Sequence, residues 1–286
     1  MILVTGASGN VGGAVMQAVI AGNHPVRAMY RSEADAENIP RGASVVVADF
    51  GDRRSLAKAL DGITRVFLVC APIPQLVELE TNVIELCRQR DLEHLVLNSA
   101  LGAGTFDASF PAWHRKVERN LERSGVAYSV LRPNSFMQNV ANFYAPTIRS
   151  QGVFYAALED APISYIDVRD VGAFAARLLA GEPGQGRTYE LNGPEALTCN
   201  EIAVRLSRFT GRPVRYVNVP PAELKKSVIG VGMPQWQVDA LLELQHYYVE
   251  GNGGQTDNVV RQMLGRDPIV FEQFLRDYAV AFQQAA

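Results

Sequence analysis

Through the first half of the chain, short apolar runs alternate with segments of helical period. The runs fall at 1–5 (MILVT), 25–30 (PVRAMY), 43–49 (ASVVVAD), 65–71 (RVFLVCA), 93–100 (EHLVLNSA) and 127–133 (AYSVLRP). Between them, 10–22, 33–38, 53–61, 75–90 and 111–124 read as helices. Unbroken apolar strands separated by helices are what a parallel sheet covered on both faces requires. The pattern therefore predicts an α/β fold: a doubly wound parallel (Rossmann) sheet. After Pro133 the rhythm changes. Strands become sparse (153–156, 162–168, 188–193 and 214–219), and helices are expected from 198 onward at 221–229, 234–250, 256–264 and 270–283. Thr198 and Glu201 have the spacing of a capping box at the first of these helices. The expected organisation is a dinucleotide-binding domain over 1–133, joined by part of 150–180. A smaller, mostly helical substrate lobe follows over 134–286.

Composition narrows the classes. The chain has 286 residues, 48% hydrophobic and 20% charged, with a net charge of -3. Without a basic excess there is nothing to neutralise phosphates, so nucleic acid is not an expected partner. The longest apolar stretch is too short for a bilayer, so no membrane association is expected either. Three cysteines (Cys70, Cys87, Cys199) have no metal or redox spacing. They are expected reduced and buried, with no metal site. The glycine turn arrives by residue 6, leaving no room for a signal peptide, and the expected location is cytoplasmic. Monomer and homodimer both stay open.

Candidate chemistry begins at that turn. Gly6-x-x-Gly9-x-x-Gly12 lies between the first strand and the first helix. Glycine lets the backbone turn tightly and approach a pyrophosphate, whose charge meets the helix N-terminus. The turn residues Gly6, Ser8, Gly9, Asn10, Val11 and Gly12 are therefore candidates for the cofactor. At the end of the second strand an NAD binder usually has an acid, whereas arginine suits a 2′-phosphate. Arg31 stands there, so NADP(H) is expected in preference to NAD(H). At the third strand's end Asp49 is either an adenine acceptor or a helix cap, with Phe50 as a neighbouring wall. Ala71 and Pro72, after the fourth strand, would let backbone pass close to a ribose.

The motifs TGASGNVG, the strand-end Arg31, ADF, NSALGA, HRKVERNLERSGVAYSVLRPNSFMQN and YIDVRDV together resemble the NmrA-like atypical short-chain dehydrogenases/reductases. That group includes triphenylmethane reductases, quinone oxidoreductases and isoflavone-reductase-like proteins. The resemblance implies an NAD(P)H reductase, and it adds Ser99, Pro133 and Asn134 to the cofactor residues. It also places Trp113, Phe136, Met137 and Asn139 around the substrate. His114 falls where isoflavone reductases carry a lysine near the nicotinamide ribose, and so becomes the catalytic candidate. The competing reading of His114 is a helix residue paired with Glu118 one turn on. The charged residues of that helix, Glu118 among them, read as a solvated face. Asp167 and Asp170 flank a helix start and read as caps.

One departure bears on mechanism. None of the ten tyrosines has a lysine four residues later. The Tyr-x-x-x-Lys pair that protonates carbonyls in the wider superfamily is thus missing from the sequence. An acceptor that delocalises the incoming charge needs no such acid. The expected reaction is direct hydride transfer to a flat, electron-poor small molecule: a quinone, dye, imine or conjugated alkene. The alternative is a non-catalytic NADP(H)-binding redox sensor on the same frame.

Overall fold

A computed structural model of the protein describes residues 1–36 and 40–283. Seven strands form one parallel sheet in the order β3-β2-β1-β4-β5-β6-β8. Their ranges are β1 Ile2–Val4, β2 Val26–Tyr30, β3 Ala43–Val47, β4 Arg65–Leu68, β5 His94–Asn98, β6 Tyr128–Pro133 and β8 Arg187–Leu191; β7 (Val153–Ala156) pairs separately with β9 (Arg215–Asn218). Strand order reverses between β1 and β4, with Leu3 opposite Arg27 on one side and Val66 on the other. In open α/β sheets this reversal opens a crevice at the carboxyl ends of the strands, where ligands bind.

The helices are α1 Asn10–Ala21, α2 Arg53–Ala59, α3 Leu76–Arg88, α4 Ser109–Ser124, α5 Met137–Asn139, α6 Ala145–Gln151, α7 Val168–Ala180, α8 Cys199–Thr210, α9 Pro221–Gly230, α10 Gln235–Tyr247, α11 Val259–Leu264, α12 Phe271–Asp277 and α13 Ala279–Phe282. The chain folds as two units. The first comprises Met1–Pro133, Val168–Leu191 and Val259–Arg266; the second comprises Asn134–Asp167, Asn192–Asn258 and Asp267–Ala286.

In the first unit the apolar runs do what their pattern requires. Leu3, Val66, Leu68, Leu95, Leu97 and Val130 bury one face of the sheet against Leu56, Leu76, Val83, Ile84, Val117 and Leu121 of α2, α3 and α4. The other face takes α1 and α7, which pack so closely that a Cβ on Gly172 would lie 2.6 Å from the Ala14 carbonyl carbon. In the second unit, α5 continues through a wide turn at Val140–Tyr144 into α6. The capping box forms as its spacing predicts: Thr198 Oγ1 accepts from the Glu201 N–H at 3.2 Å, and Glu201 Oε2 accepts from the Thr198 N–H at 2.8 Å.

Some expectations need correction. The 162–168 segment is not a strand; it makes only single bridges, Ile163 with Leu197 and Ile166 with Phe136. Gly193 packs under Tyr165 there, leaving no edge for a ladder. The helix expected at 33–38 is one short turn, Ala34–Ala36, and its last two positions lie outside the described residues. The helix expected at 270–283 is broken at Tyr278 into α12 and α13. All three cysteines are free thiols, and Cys70 is only half-buried. No helix is long and apolar enough to cross a membrane.

Candidate functional site

The end of β1 is tied to the end of β4 by one hydroxyl. Thr5 Oγ1 donates to the carbonyl of Val69 or Phe67 (3.0 and 3.2 Å) and accepts from the Val69 N–H at 2.9 Å. Immediately after it, Gly6 takes φ +57°, and a Cβ there would lie 2.9 Å from Val69 Cγ1. Only glycine fits that position. The Gly9 N–H then returns to the Gly6 carbonyl at 2.9 Å, and Gly9 becomes the N-cap of α1 with no side chain to cap it. Gly12 closes the turn from inside: its Cβ would fall 2.7 Å from the Thr5 carbonyl oxygen and 2.6 Å from the Gly6 carbonyl carbon.

The result is a helix start whose first N–H groups are left without a backbone partner. Among the described residues, no backbone carbonyl pairs with the N–H of Ser8, Asn10, Val11 or Gly12. The first turn of α1 carries no acidic residue. Unpaired N–H groups and the positive end of the helix dipole make an anion seat. Gly6, Ser8, Gly9 and Asn10 are exposed there, whereas Val11 and Gly12 are buried beneath.

Three further strand ends border the same edge of the sheet. Arg31 follows β2, is exposed, and has no hydrogen bond or ion pair to any described residue. Asp49, after β3, is exposed; its Oδ1 accepts from the Gly51 N–H at 2.7 Å. The cap of α2 is Asp52 instead, accepting from the Arg54 N–H at 2.9 Å, so the helix-cap reading of Asp49 is corrected. Phe50 is buried in the core, and its carbonyl accepts from Asn82 Nδ2 at 3.0 Å. Ala71 and Pro72, beyond β4, are exposed.

Strands β5 and β6 and helix α4 carry the rest of the first unit's candidates. Ser99 is buried and donates its hydroxyl to Glu118 Oε1 at 2.6 Å. Pro133 closes β6 and is buried, and Trp113 meets Phe110 edge to face at 5.6 Å. His114 is 7% exposed, and its Nδ1 is buried with no hydrogen-bond partner. Burial pushes its imidazole down to about 4, against the upward pull of the Glu118 charge. At neutral pH the ring is therefore uncharged. The expected pairing of His114 with Glu118 does not form, because the Glu118 oxygens are already bonded to Ser99, Arg132 and Arg115. Nor is Glu118 on a solvated face, since it is 1% exposed. A signal was available: with His114, Val117 and Leu121 it sits at the 3–4 spacing of one helix face.

The second unit carries the remaining positions except Asp170, which belongs to the first. Asn134 is fully engaged inside it: Nδ2 donates to Asn192 Oδ1 (3.0 Å) and to the Gly253 carbonyl (2.9 Å). Phe136 and Asn139 are half-buried. Met137 is 0% exposed and thus part of the packing, which corrects its expected place at a pocket border. Phe143, on the wide turn, is 61% exposed and was not anticipated. Of the two acids expected as caps, Asp170 lies in the first turn of α7 and pairs with Arg266 at 2.7 Å; Asp167 directly precedes the helix and is buried. Among the described residues, no group of His, Cys, Asp and Glu could hold a metal ion.

This frame is shared with known proteins. The chain is 31% identical over 287 residues to an NAD(P)H azoreductase of Xenophilus azovorans, with 100% of each chain covered. It is 33% identical over 284 residues to a (4-alkanoyl-5-oxo-2,5-dihydrofuran-3-yl)methyl phosphate reductase of Streptomyces griseus, with 99% of each covered. The structure of an NADPH-dependent quinone oxidoreductase of Escherichia coli, complexed with NADPH, matches with a TM-score of 0.88 at 26% identity, covering 99% of this chain and 100% of that one. The NmrA-like family pattern matches residues 1–274, from the glycine turn to α12, and the chain therefore belongs to the NmrA-like family.

Proposed function

We propose that this protein is an NADP(H)-dependent reductase that passes hydride directly to a flat, electron-poor small molecule such as a quinone, dye, imine or conjugated alkene. The observation that carries the reading is the uncapped start of α1, with its unpaired N–H groups and no acidic residue in its first turn. The glycine turn fits a pyrophosphate, because a side chain at Gly9 would occupy the space over those N–H groups. Exposed Arg31 offers its guanidinium to a 2′-phosphate. Relatives named as an azoreductase and a quinone oxidoreductase support an oxidoreductase that uses NAD(P)H.

When bound, the nicotinamide supplies the hydride. The chain's own residues contribute binding, orientation and exclusion of water. Neutral His114 is suited to bracing a ribose hydroxyl through a hydrogen bond. It is poorly suited to protonating an acceptor near neutrality, being already deprotonated there. The sequence of α4, SFPAWHRKVERNLERS, contains no tyrosine to act in its stead. The test is oxidation of NADPH by the purified protein with a panel of quinones, azo dyes and imines. Tight NADPH binding with no turnover across the panel would favour the redox-sensor alternative.

His114→Ala separates two roles in the same assay. A brace is worth about 1 kcal/mol, so NADPH affinity should fall roughly fivefold and turnover should fall only modestly. The pH–rate profile should keep its shape between about pH 5 and 8, because the ring does not titrate in that range. A large loss of turnover at unchanged NADPH affinity, with the alkaline limb of the pH–rate profile abolished, would instead make His114 the proton donor.

A further inference from the structure

One buried carboxylate joins the elements that carry three of the candidate site residues. Glu118 accepts from Ser99 Oγ at 2.6 Å, from Arg132 Nε at 2.9 Å, from Arg132 Nη2 at 2.7 Å and from Arg115 Nη1 at 3.0 Å. Four donors fill the acceptor capacity of a carboxylate. Burial alone would raise the Glu118 pKa, but the hydrogen bonds from Arg132 and Ser99 outweigh it and hold the group below its ordinary value. The charge is thus kept inside the fold by its partners.

The partners are placed tellingly. Ser99 is the first residue beyond β5, and Arg132 immediately precedes Pro133 at the end of β6. His114 stands one turn before Glu118 on the same buried face of α4. The Arg132 guanidinium also packs on the loop between β5 and α4: a Cβ on Gly104 would touch its Nη1 at 2.9 Å. Two strand ends, the intervening loop and the first turns of α4 therefore share one anchor. Bidentate arginine–carboxylate geometry is the rigid way to build it.

We infer that Glu118 is a positioning residue for reduction, fixing Ser99, His114 and Pro133 relative to one another through its bonds to Ser99 and Arg132. The inference rests on the reductase reading above. A residue with this role should act on cofactor placement and turnover without altering affinity for the acceptor.

The test is Glu118→Gln, with Arg132→Lys as a milder second variant and Glu122→Gln as control, since among the described residues Glu122 pairs only with Arg115, at the surface. Glutamine turns an N–H₂ toward the guanidinium and loses the two-pronged pair. Folding is checked by circular dichroism, and NADPH affinity is measured by fluorescence titration without any acceptor. Glu118→Gln should weaken NADPH about tenfold and lower kcat by a similar factor, with the acceptor KM unchanged. Arg132→Lys should move the same quantities less, and the control should move neither. Adding His114→Ala to Glu118→Gln should cost little beyond the larger single loss, because Glu118 acts in part by placing the helix face that carries His114. Multiplied losses, or a folded Glu118→Gln with unchanged affinity and kcat, would overturn the positioning role. A wild-type chain that binds no NADPH would remove the reductase reading itself, a separate outcome of the same titration.

Discussion

Gly12→Val should yield a protein that binds no measurable NADPH and melts several degrees lower, whereas Gly9→Val should lose NADPH at a nearly unchanged Tm. The contrast follows from what a side chain would meet. At Gly12 the Cβ alone runs into the backbone of Thr5 and Gly6, so the β1–α1 turn must open. Overpacking of this kind costs about 1–3 kcal/mol or more, and each kcal/mol lowers Tm by roughly 2–4 °C at this chain size. At Gly9 the backbone has φ -87° and ψ 169°, which valine adopts without strain, and the nearest atom to a Cβ is the Gly6 carbonyl oxygen at 3.3 Å. An N-cap side chain points at the N–H groups of the helix's first turn. Valine there would roof the anion seat with methyl groups. Calorimetry and fluorescence titration on both variants check the pair, and equal stability losses would show that the two glycines do one job.

Arg31→Asp should invert cofactor choice. A charge-assisted hydrogen bond is worth about 1.5–3 kcal/mol, which is roughly 10- to 150-fold in affinity, and an aspartate adds repulsion of the phosphate. NADPH should therefore weaken by about 100-fold while NADH changes little or improves, since an acid at this strand end suits a ribose 2′-hydroxyl. Arg31 bonds no described residue, so its removal should leave Tm in place. Equal losses for the two cofactors would assign the 2′-phosphate to another group.

How much of this was legible in the sequence depends on where the information lies. The six apolar runs up to Pro133 correspond to β1 to β6, because strands inside a covered sheet must be apolar throughout; only β3, at the edge, is apolar without being buried. The glycine turn was equally plain, since its spacing reflects local sterics. The segment at 162–168 misled because alternating apolar residues also suit a chain that is buried without pairing along an edge. Met137, expected at a pocket border, is buried, and Phe143, which no motif singled out, is exposed. Phe143 lies on the wide turn at Val140–Tyr144, which shifts the helical face by an amount no periodicity announces. Glu118 was misjudged because the helix spacing that would bury it had no visible partner for its charge: Arg132 comes from β6, and only the fold brings it within reach of α4.

The first unit is assembled from three separate stretches of chain, and this affects its birth as well as its shape. When residue 133 has just been made, the glycine turn and six strands exist, but β6 has no partner on its outer side and α1 lacks α7. An unpaired edge strand and an uncovered helix invite association with other chains. Translation runs at about 5–20 residues per second, so this state persists for seconds until β8 arrives. The ion pair between Asp170 and Arg266 must wait longer still. A gene fragment ending at 133 should consequently aggregate rather than yield a small nucleotide-binding module. The portion of the protein that reads as its most self-sufficient is then the one most dependent on what is translated last.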